Sequence, residues 1–457
     1  MAIAAHKSLA SKVSPFLAAL LVCLPAFSLR LAAAVPPDGL AARPAAPAYW
    51  RLPERADGPL PRRLSQTGVF QDLARLQPAG ALVPYDLIVP FWSDGAEKSR
   101  WVSVPAGQTI RFAPTGEWLF PRGTVFVKTF SLATNELAPN ELLRLETRLL
   151  VCDADGGVYG VVYKWRADLS DADLLETNLT ETVPIRTAAG AHTQSWYYPS
   201  RKDCLDCHTA NAGYVLGPKT RQLNRDYSYP SGVTDNELRA WNQLGLFDTN
   251  LDVADLDRLP RLARSDDPAR SLTDRARSYL DANCANCHRP QGTVAYFDAR
   301  YDTPLAQQGL IDGRVLIDER LDNPHLIAPN DIWRSILYLR ANTTETFKMP
   351  PVARNTIDVM GVALLRQWIE SLPGPPVLPP PEITPPGGTY SRPVTVTLKT
   401  EPGATIRYTL DGTVPTTDDL LYEKPVPLTG PTILRAKAFK PGSTKSITVQ
   451  EIYLVGN

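Results

Sequence analysis

Two short stretches, Cys204-Leu-Asp-Cys207-His208 and Cys284-Ala-Asn-Cys287-His288, hold four of the six cysteines and two of the five histidines in a chain of 457 residues. In each, two cysteines stand one helical turn apart, with a histidine directly after the second. That spacing suits thioether bonds to the two vinyl groups of one haem, and the adjacent histidine can then reach the iron from one side. The pattern predicts two covalent c-type haems, attached at Cys204 and Cys207 and at Cys284 and Cys287, with His208 and His288 as proximal iron ligands. Three other uses of the cysteines compete. Structural zinc would take the same thiols, but 76 residues lie between the two pairs, far beyond ribbon spacing. A dithiol redox site has no use for a repeated histidine, and no βαβ pattern surrounds either motif. A disulfide within each CxxC is strained.

The sixth ligands are harder to read. After Met1 the chain has two methionines, Met349 in "FKMPP" and Met360. A loop methionine followed by two prolines is poor core material, and the prolines can hold its thioether against iron. Met349 is therefore expected on the second haem, where Met/His ligation raises the potential and suits electron transfer. Met360 falls on the apolar stripe of a helix and reads as core. Between His208 and Cys284 there is no methionine or histidine. For the first haem the candidates are His192 and His325, with His192 ranked first, or an open sixth position that could bind a small molecule.

Covalent haem requires export, and the first residues fit. Lys7 and Lys12 precede the apolar "PFLAALLVCLPAFSL", and "LAAA" offers a cleavage site, so residues 1–34 read as a signal peptide. The expected location is the periplasm, with the cell surface as the alternative. No later segment has the length and apolarity of a membrane span, so none is expected in the mature chain. Lysine plus arginine equals aspartate plus glutamate at 48 each, which gives no sign of a nucleic-acid partner. Cys152, at the end of an alternating segment, reads as a small buried filler.

Residues 35–62 are a proline-rich lead-in. Residues 63–196 alternate as strands do, with "LRLETRLLVC", a "DADGG" turn and "VYGVVYKW" forming a hairpin. A β-sandwich-like domain is expected there. From 197 the pattern turns helical: a first haem-binding region over 197–268 and a cytochrome c domain over 269–372, the whole an α-helical c-type cytochrome region. Thr234 with Glu237 reads as a capping box. Residues 373–386 form a proline-rich linker, and 387–457 an all-β sandwich. Asp94 and Glu97 in "WSDGAEK" read as a solvated turn rather than a cation site.

At these residues the chain resembles a family of exported diheme c-type cytochromes. The likeness covers roughly residues 62–372, through "VPYDLIVPFWSDGAEKSRW", "FPRGTVFVKTF", "YPSRKDCLDCHTANAGYVLGPKTRQLNRD" and "YLDANCANCHRPQG". It implies an N-terminal β-domain, two haems and electron transfer, without naming a substrate. Residues 284–372 look like a class I cytochrome c domain, matched at Cys284, Cys287, His288 and Met349. The tail, through "PGGTYSRPVTVTL" and "PGATIRYTLDGTVPT", resembles the Fn3-like C-terminal domain of chitobiases and β-hexosaminidases, which is non-catalytic there. The expected function is electron relay between redox partners outside the cytoplasm, with polysaccharide contact through the tail as a minor role. The rival is a diheme peroxidase or small-molecule oxidase reacting at the first haem.

Overall fold

The computed structural model describes residue 40 and residues 43–352 and 354–456, so the signal peptide expected over 1–34 lies outside the described residues. A small hairpin, β1 (Phe70–Asp72) and β2 (Gln77–Pro78), precedes a six-stranded sheet. Its strands are β3 (Val83–Pro84), β4 (Glu97–Ser103), β5 (Val125–Ala133), β6 (Leu142–Cys152), β7 (Val158–Trp165) and β8 (Ala172–Leu174). They pair in chain order, every neighbour antiparallel. The β6–β7 hairpin forms as its alternation predicts. Asp153 closes it, accepting the N–H groups of Asp155 and Gly157 at 3.0 and 2.8 Å.

Both faces of this sheet are covered, by loop segments and two-stranded hairpins rather than by a second large sheet. On one face Val125, Val127, Leu149, Val151 and Tyr163 pack against residues of the 49–82 segment, among them Leu64, Phe70 and Leu82. On the other, Val102, Phe126 and Val158 meet Val215, Leu223 and Trp241 from beyond residue 200. The β-sandwich expected over 63–196 is thus corrected to one antiparallel meander. Alternation reports that a face is buried; it is silent on what buries it. A long hairpin, β9 (Leu179–Thr187) and β10 (Gly190–Tyr198), leaves the sheet and packs Ile185, Trp196 and Tyr198 near Phe130 and Leu145.

The α-helical cytochrome region expected over 197–372 is not what forms. Among the described residues strand accounts for 29% and helix of all kinds for 15%, with six α-helices. Four are short: α1 (Arg201–Cys207), α2 (Thr220–Leu223), α3 (Glu237–Gln243) and α5 (Ile336–Ala341). Only α4 (Leu272–Asn283) and α6 (Val359–Ser371) reach three turns, at 12 and 13 residues. Between His288 and Ser335 the chain is mostly turns, with Gln291, Asp312, Glu319, Arg320, Asn323 and Asn330 in the left-handed region. That conformation cannot be carried through a helix of L-residues. Helical periodicity was real at α4 and α6, which share a core of Leu280, Leu365 and Trp368, but turn chemistry dominates between them. The capping box also shifts. Thr234 lies in a short strand pair, β11 (Asp226–Ser228) and β12 (Thr234–Asn236), and Asn236 caps α3 through the N–H of Leu238 at 2.9 Å. Met360 is 68% exposed rather than core.

The tail is a two-sheet sandwich. One sheet orders β13 (Glu382–Thr384), β15 (Val394–Lys399) and β18 (Val426–Leu428). The other orders β14 (Gly388–Tyr390), β20 (Val449–Val455), β19 (Thr432–Phe439), β16 (Thr405–Thr409) and β17 (Leu420–Leu421), with β14 parallel to β20. Val396, Leu398, Ile406, Leu434 and Tyr453 fill the space between them. The proline-rich segment over 373–386 is tied down at several points: β13 lies within it, and Thr444 donates to the Pro376 carbonyl at 2.8 Å. The sandwich docks on the preceding region through Asp322, which accepts from Lys437 at 2.5 Å and the Thr448 hydroxyl at 2.7 Å.

Candidate functional site

The two CxxCH motifs are built on different local frames that end alike. The first is helical. Ser200 and Asp203 cap α1 reciprocally, with Ser200 N–H to the Asp203 carboxylate at 2.8 Å and Asp203 N–H to the Ser200 hydroxyl at 3.3 Å. Cys204 and Cys207 then lie on α1, and His208 closes it by donating its N–H to the Cys204 carbonyl at 3.0 Å. The second begins where α4 ends, with Cys284 as the C-cap. There His288 donates its N–H to the Cys284 carbonyl at 2.9 Å. Both histidines thus follow their cysteines with the same backbone closure.

Tertiary structure brings the motifs together. Cys207 and Cys287 come together on the wall of one cavity, although they belong to separate segments of chain. Their mutual influence raises the Cys207 thiol and lowers the Cys287 value to about 7. Both cysteines, with Cys204 and His208, line one cavity of about 260 Å³. Its walls include Phe91, Phe126, Leu150, Trp196 and Val215, and Pro350 to Val352 close one side. Gly160 on β7 makes room for the motif: a Cβ there would stand 2.5 Å from the Cys204 sulfur.

His208 donates from, or accepts at, Nδ1 with the Tyr214 carbonyl at 2.6 Å; since a carbonyl only accepts, Nδ1 carries the proton and Nε2 is left as the ligating nitrogen. Burial lowers its basicity to a value of about 4, so the ring is neutral, as a metal ligand must be. His288 stacks on Phe297 with ring centroids 4.3 Å apart. Its Nδ1 is buried without a hydrogen-bond partner, and burial followed by the nearby Arg340 charge lowers its value to about 4. A neutral imidazole with Nε2 free, set beside two cysteines and an apolar cavity, fits a c-type haem at the first motif. The second has the same donor set and an orphaned ring nitrogen. Among the described residues no three His, Cys, Asp or Glu side chains converge as a metal-ion cage.

The other sequence-predicted ligands are divided. Met349 is half-buried, and its N–H donates to the Arg340 carbonyl at 2.9 Å. Its neighbours Pro350 and Pro351 reach the cavity of the first motif. His192 is not brought to either motif: it is exposed on β10 and lines a separate hollow with Gln194, Lys348 and Thr356. His325 faces Asn323 and the Asp312 carbonyl, each at 3.3 Å. Among the described residues His208 is the one histidine lining the cavity, and no methionine lines it. Cys152 is buried at 5% exposure, and burial raises its thiol to about 12, as befits an inert filler.

Residues that sequence reading missed hold this arrangement in place. Arg221, on α2, is 1% exposed and grips Asp281 through two bonds of 3.0 Å. Asp281 lies on α4 one turn before Cys284. Arg221 also donates to Asp302 at 2.7 Å, while Glu117 accepts from Lys219 at 2.9 Å and from Arg289, beside His288, at 2.8 Å. This knot of charges joins the first motif's segment to the second's. Asp94 performs a similar task for the Met349 loop. Far from a solvated turn, it is 3% exposed and accepts from the Asn355 N–H at 2.8 Å and the Thr356 N–H at 2.9 Å. Nothing in the local sequence marks these partners, which lie more than 250 positions apart.

Residues 385–450 match the family model of the chitobiase/beta-hexosaminidase C-terminal domain. No curated protein and no solved structure matches the chain. Among the described residues no helix is long and apolar enough to cross a membrane.

Proposed function

We propose that this chain is an exported diheme c-type cytochrome that relays electrons between redox partners outside the cytoplasm, consistent with its resemblance to that family. The observation that carries the reading is the convergence of the two CxxCH motifs on one cavity, which Cys204, Cys207, His208 and Cys287 all line, with His208 held in the ligating tautomer by the Tyr214 carbonyl. When bound, haem supplies a one-electron couple at iron. The protein's part is attachment and orientation. Cys204 and Cys207 would hold one group and Cys284 and Cys287 the other, with His208 and His288 as proximal ligands and Met349 as the sixth ligand at the second site. With Cys207 and Cys287 on the wall of one cavity, the two attachments would start close together, which favours transfer between neighbouring groups. The apolar walls at Phe126, Leu150 and Trp196 keep water from the first. The scaffold proposed for this is the sheet-and-loop frame described above.

The test is haem counted per chain by pyridine haemochrome after production in a host that matures c-type cytochromes, followed by ferric spectra. Two covalent haems with a thioether-to-iron band that vanishes in Met349→Ala support electron transfer. No covalent haem in the wild type refutes the reading.

The peroxidase or oxidase reading is favoured by one observation: His208 is the one histidine among the cavity's lining residues, and no methionine joins it. A high-spin first haem with peroxide turnover would put that reading first. The C-terminal sandwich, docked through Asp322, serves in our reading as a rigid location or docking module. Loss of polysaccharide retention on removal of residues 375–457 would assign it sugar contact.

A further inference from the structure

Three cations lie side by side across the middle of the large sheet, on the face turned to the cavity. Arg100 on β4 stands in register with Lys128 on β5, and Lys128 with Arg148 on β6. All three line the cavity that holds His208. Like charges directly opposite one another in a sheet are destabilising, and removing them from water increases the cost. Two of the three are answered within the protein. Arg100 bonds Asp86, and Arg148 takes Glu146 through bonds of 3.0 and 2.6 Å. Lys128 has neither a hydrogen bond nor an ion pair among the described residues; its Nζ rests over the Phe130 ring, 4.9 Å from the centroid. Burial first, then Arg100, Lys98 and Arg148, holds its ammonium well below the ordinary lysine value. Of the four carboxylates that line the cavity, three are engaged elsewhere, Asp94 by Asn355 and Thr356, Asp203 by Ser200 and Tyr197, Asp281 by Arg221, and the fourth, Asp206, is exposed on α1.

We infer that the Arg100–Lys128–Arg148 row is a carboxylate-binding site, and that its carboxylate is a propionate of the haem attached at Cys204 and Cys207. The second half rests on the haem reading above; the first half does not. The Lys128 amine, flanked by the guanidinium N–H groups not spent on Asp86 and Glu146, can hold the two oxygens of a carboxylate, which supplies the negative charge that the row lacks. A free carboxylate from solution has the same chemistry and is the other source.

Wild type, Lys128→Met and Lys128→Arg are produced as full chains with and without haem maturation, and haem is counted first. In the haem-loaded proteins, potentiometric titration should show the first haem's reduced-to-oxidised ratio falling about tenfold in Lys128→Met, about 59 mV for one electron, with the second haem unchanged. Lys128→Arg should restore it. In the unloaded chains, thermal unfolding is followed with sodium propionate against sodium chloride at equal ionic strength. Propionate should raise the wild-type midpoint and leave Lys128→Met unmoved. If wild type carries no haem but propionate protects it through Lys128, the haem reading fails and the carboxylate site stands with a free ligand. Two haems with identical potentials in wild type and Lys128→Met, and no propionate effect in either, overturn the site while leaving the haems in place. A first haem that turns high-spin in Lys128→Met, without a propionate effect, also overturns it, since the amine would then be an iron ligand.

Discussion

Arg221→Met tests whether the buried charge knot, rather than the helices, holds the two motifs together. The substitution keeps the apolar stem and removes two bonds to Asp281 at 3.0 Å, one to Asp302 at 2.7 Å and one to the Gly116 carbonyl at 3.2 Å. Asp302 has a side chain 24% exposed and can be rehydrated; Asp281, at 0%, cannot. The cost is therefore set by one stranded carboxylate, about 3–5 kcal/mol for breaking a buried pair from one side. Tryptophan fluorescence during urea unfolding at pH 7 reads it, since Trp118 and Trp241 lie in the core beside α2. At ordinary urea sensitivity the midpoint should fall by about 1 M or more. A loss below about 1 kcal/mol would refute the reasoning. Arg221→Met with Asp281→Leu should recover most of the loss, because no charge is then left unpaired. Arg366→Ala, which breaks an exposed pair with Glu370, should cost no more than about 0.5 kcal/mol. The pH dependence has a definite sign. Burial raises the Asp281 value, but Lys219 and Arg221 outweigh it and hold it below the ordinary carboxylate range. Its contribution is therefore full above about pH 4 and lost as pH falls through the folded value, so the gap between wild type and variant should narrow in acid.

Gly160→Ala places a methyl 2.5 Å from the Cys204 sulfur, so α1 must lift from β7. A loss of about 1–3 kcal/mol is expected, and haem counting should show the first site preferentially depleted. Asp94→Ala removes the acceptor for the Asn355 and Thr356 N–H groups; the loss should be about 1–3 kcal/mol, and the Met349 thioether band should weaken without any change at Met349. Burial raises the Glu237 carboxyl well above its usual value. A raised acid is penalised above its unfolded value, so Glu237→Gln should be more stable than wild type at pH 7, with the difference closing toward pH 4 in acid unfolding curves.

Covalent and short-range facts could be read from the chain. The CxxCH motifs can be located by their spacing alone, the β6–β7 hairpin follows from alternation and a glycine turn, and Leu364, Leu365 and Trp368 of α6 lie on the face that packs. All of these depend on residues within a few positions of each other. Met360 shows the limit of the same logic: a stripe predicts a face, but the width of that face depends on what covers it, and the partner stops short of Met360. The meander covered on both faces, the loop-rich stretch after His288 and the meeting of Cys207 with Cys287 depend on contacts between distant segments. The same holds for Asp94 reaching Asn355, Arg221 reaching Asp281, and the register that sets Arg100, Lys128 and Arg148 in one row. A charged residue looks alike in sequence whether it faces water or a buried partner. Only folding, by excluding water and choosing the register, turns such residues into fasteners and a cavity wall.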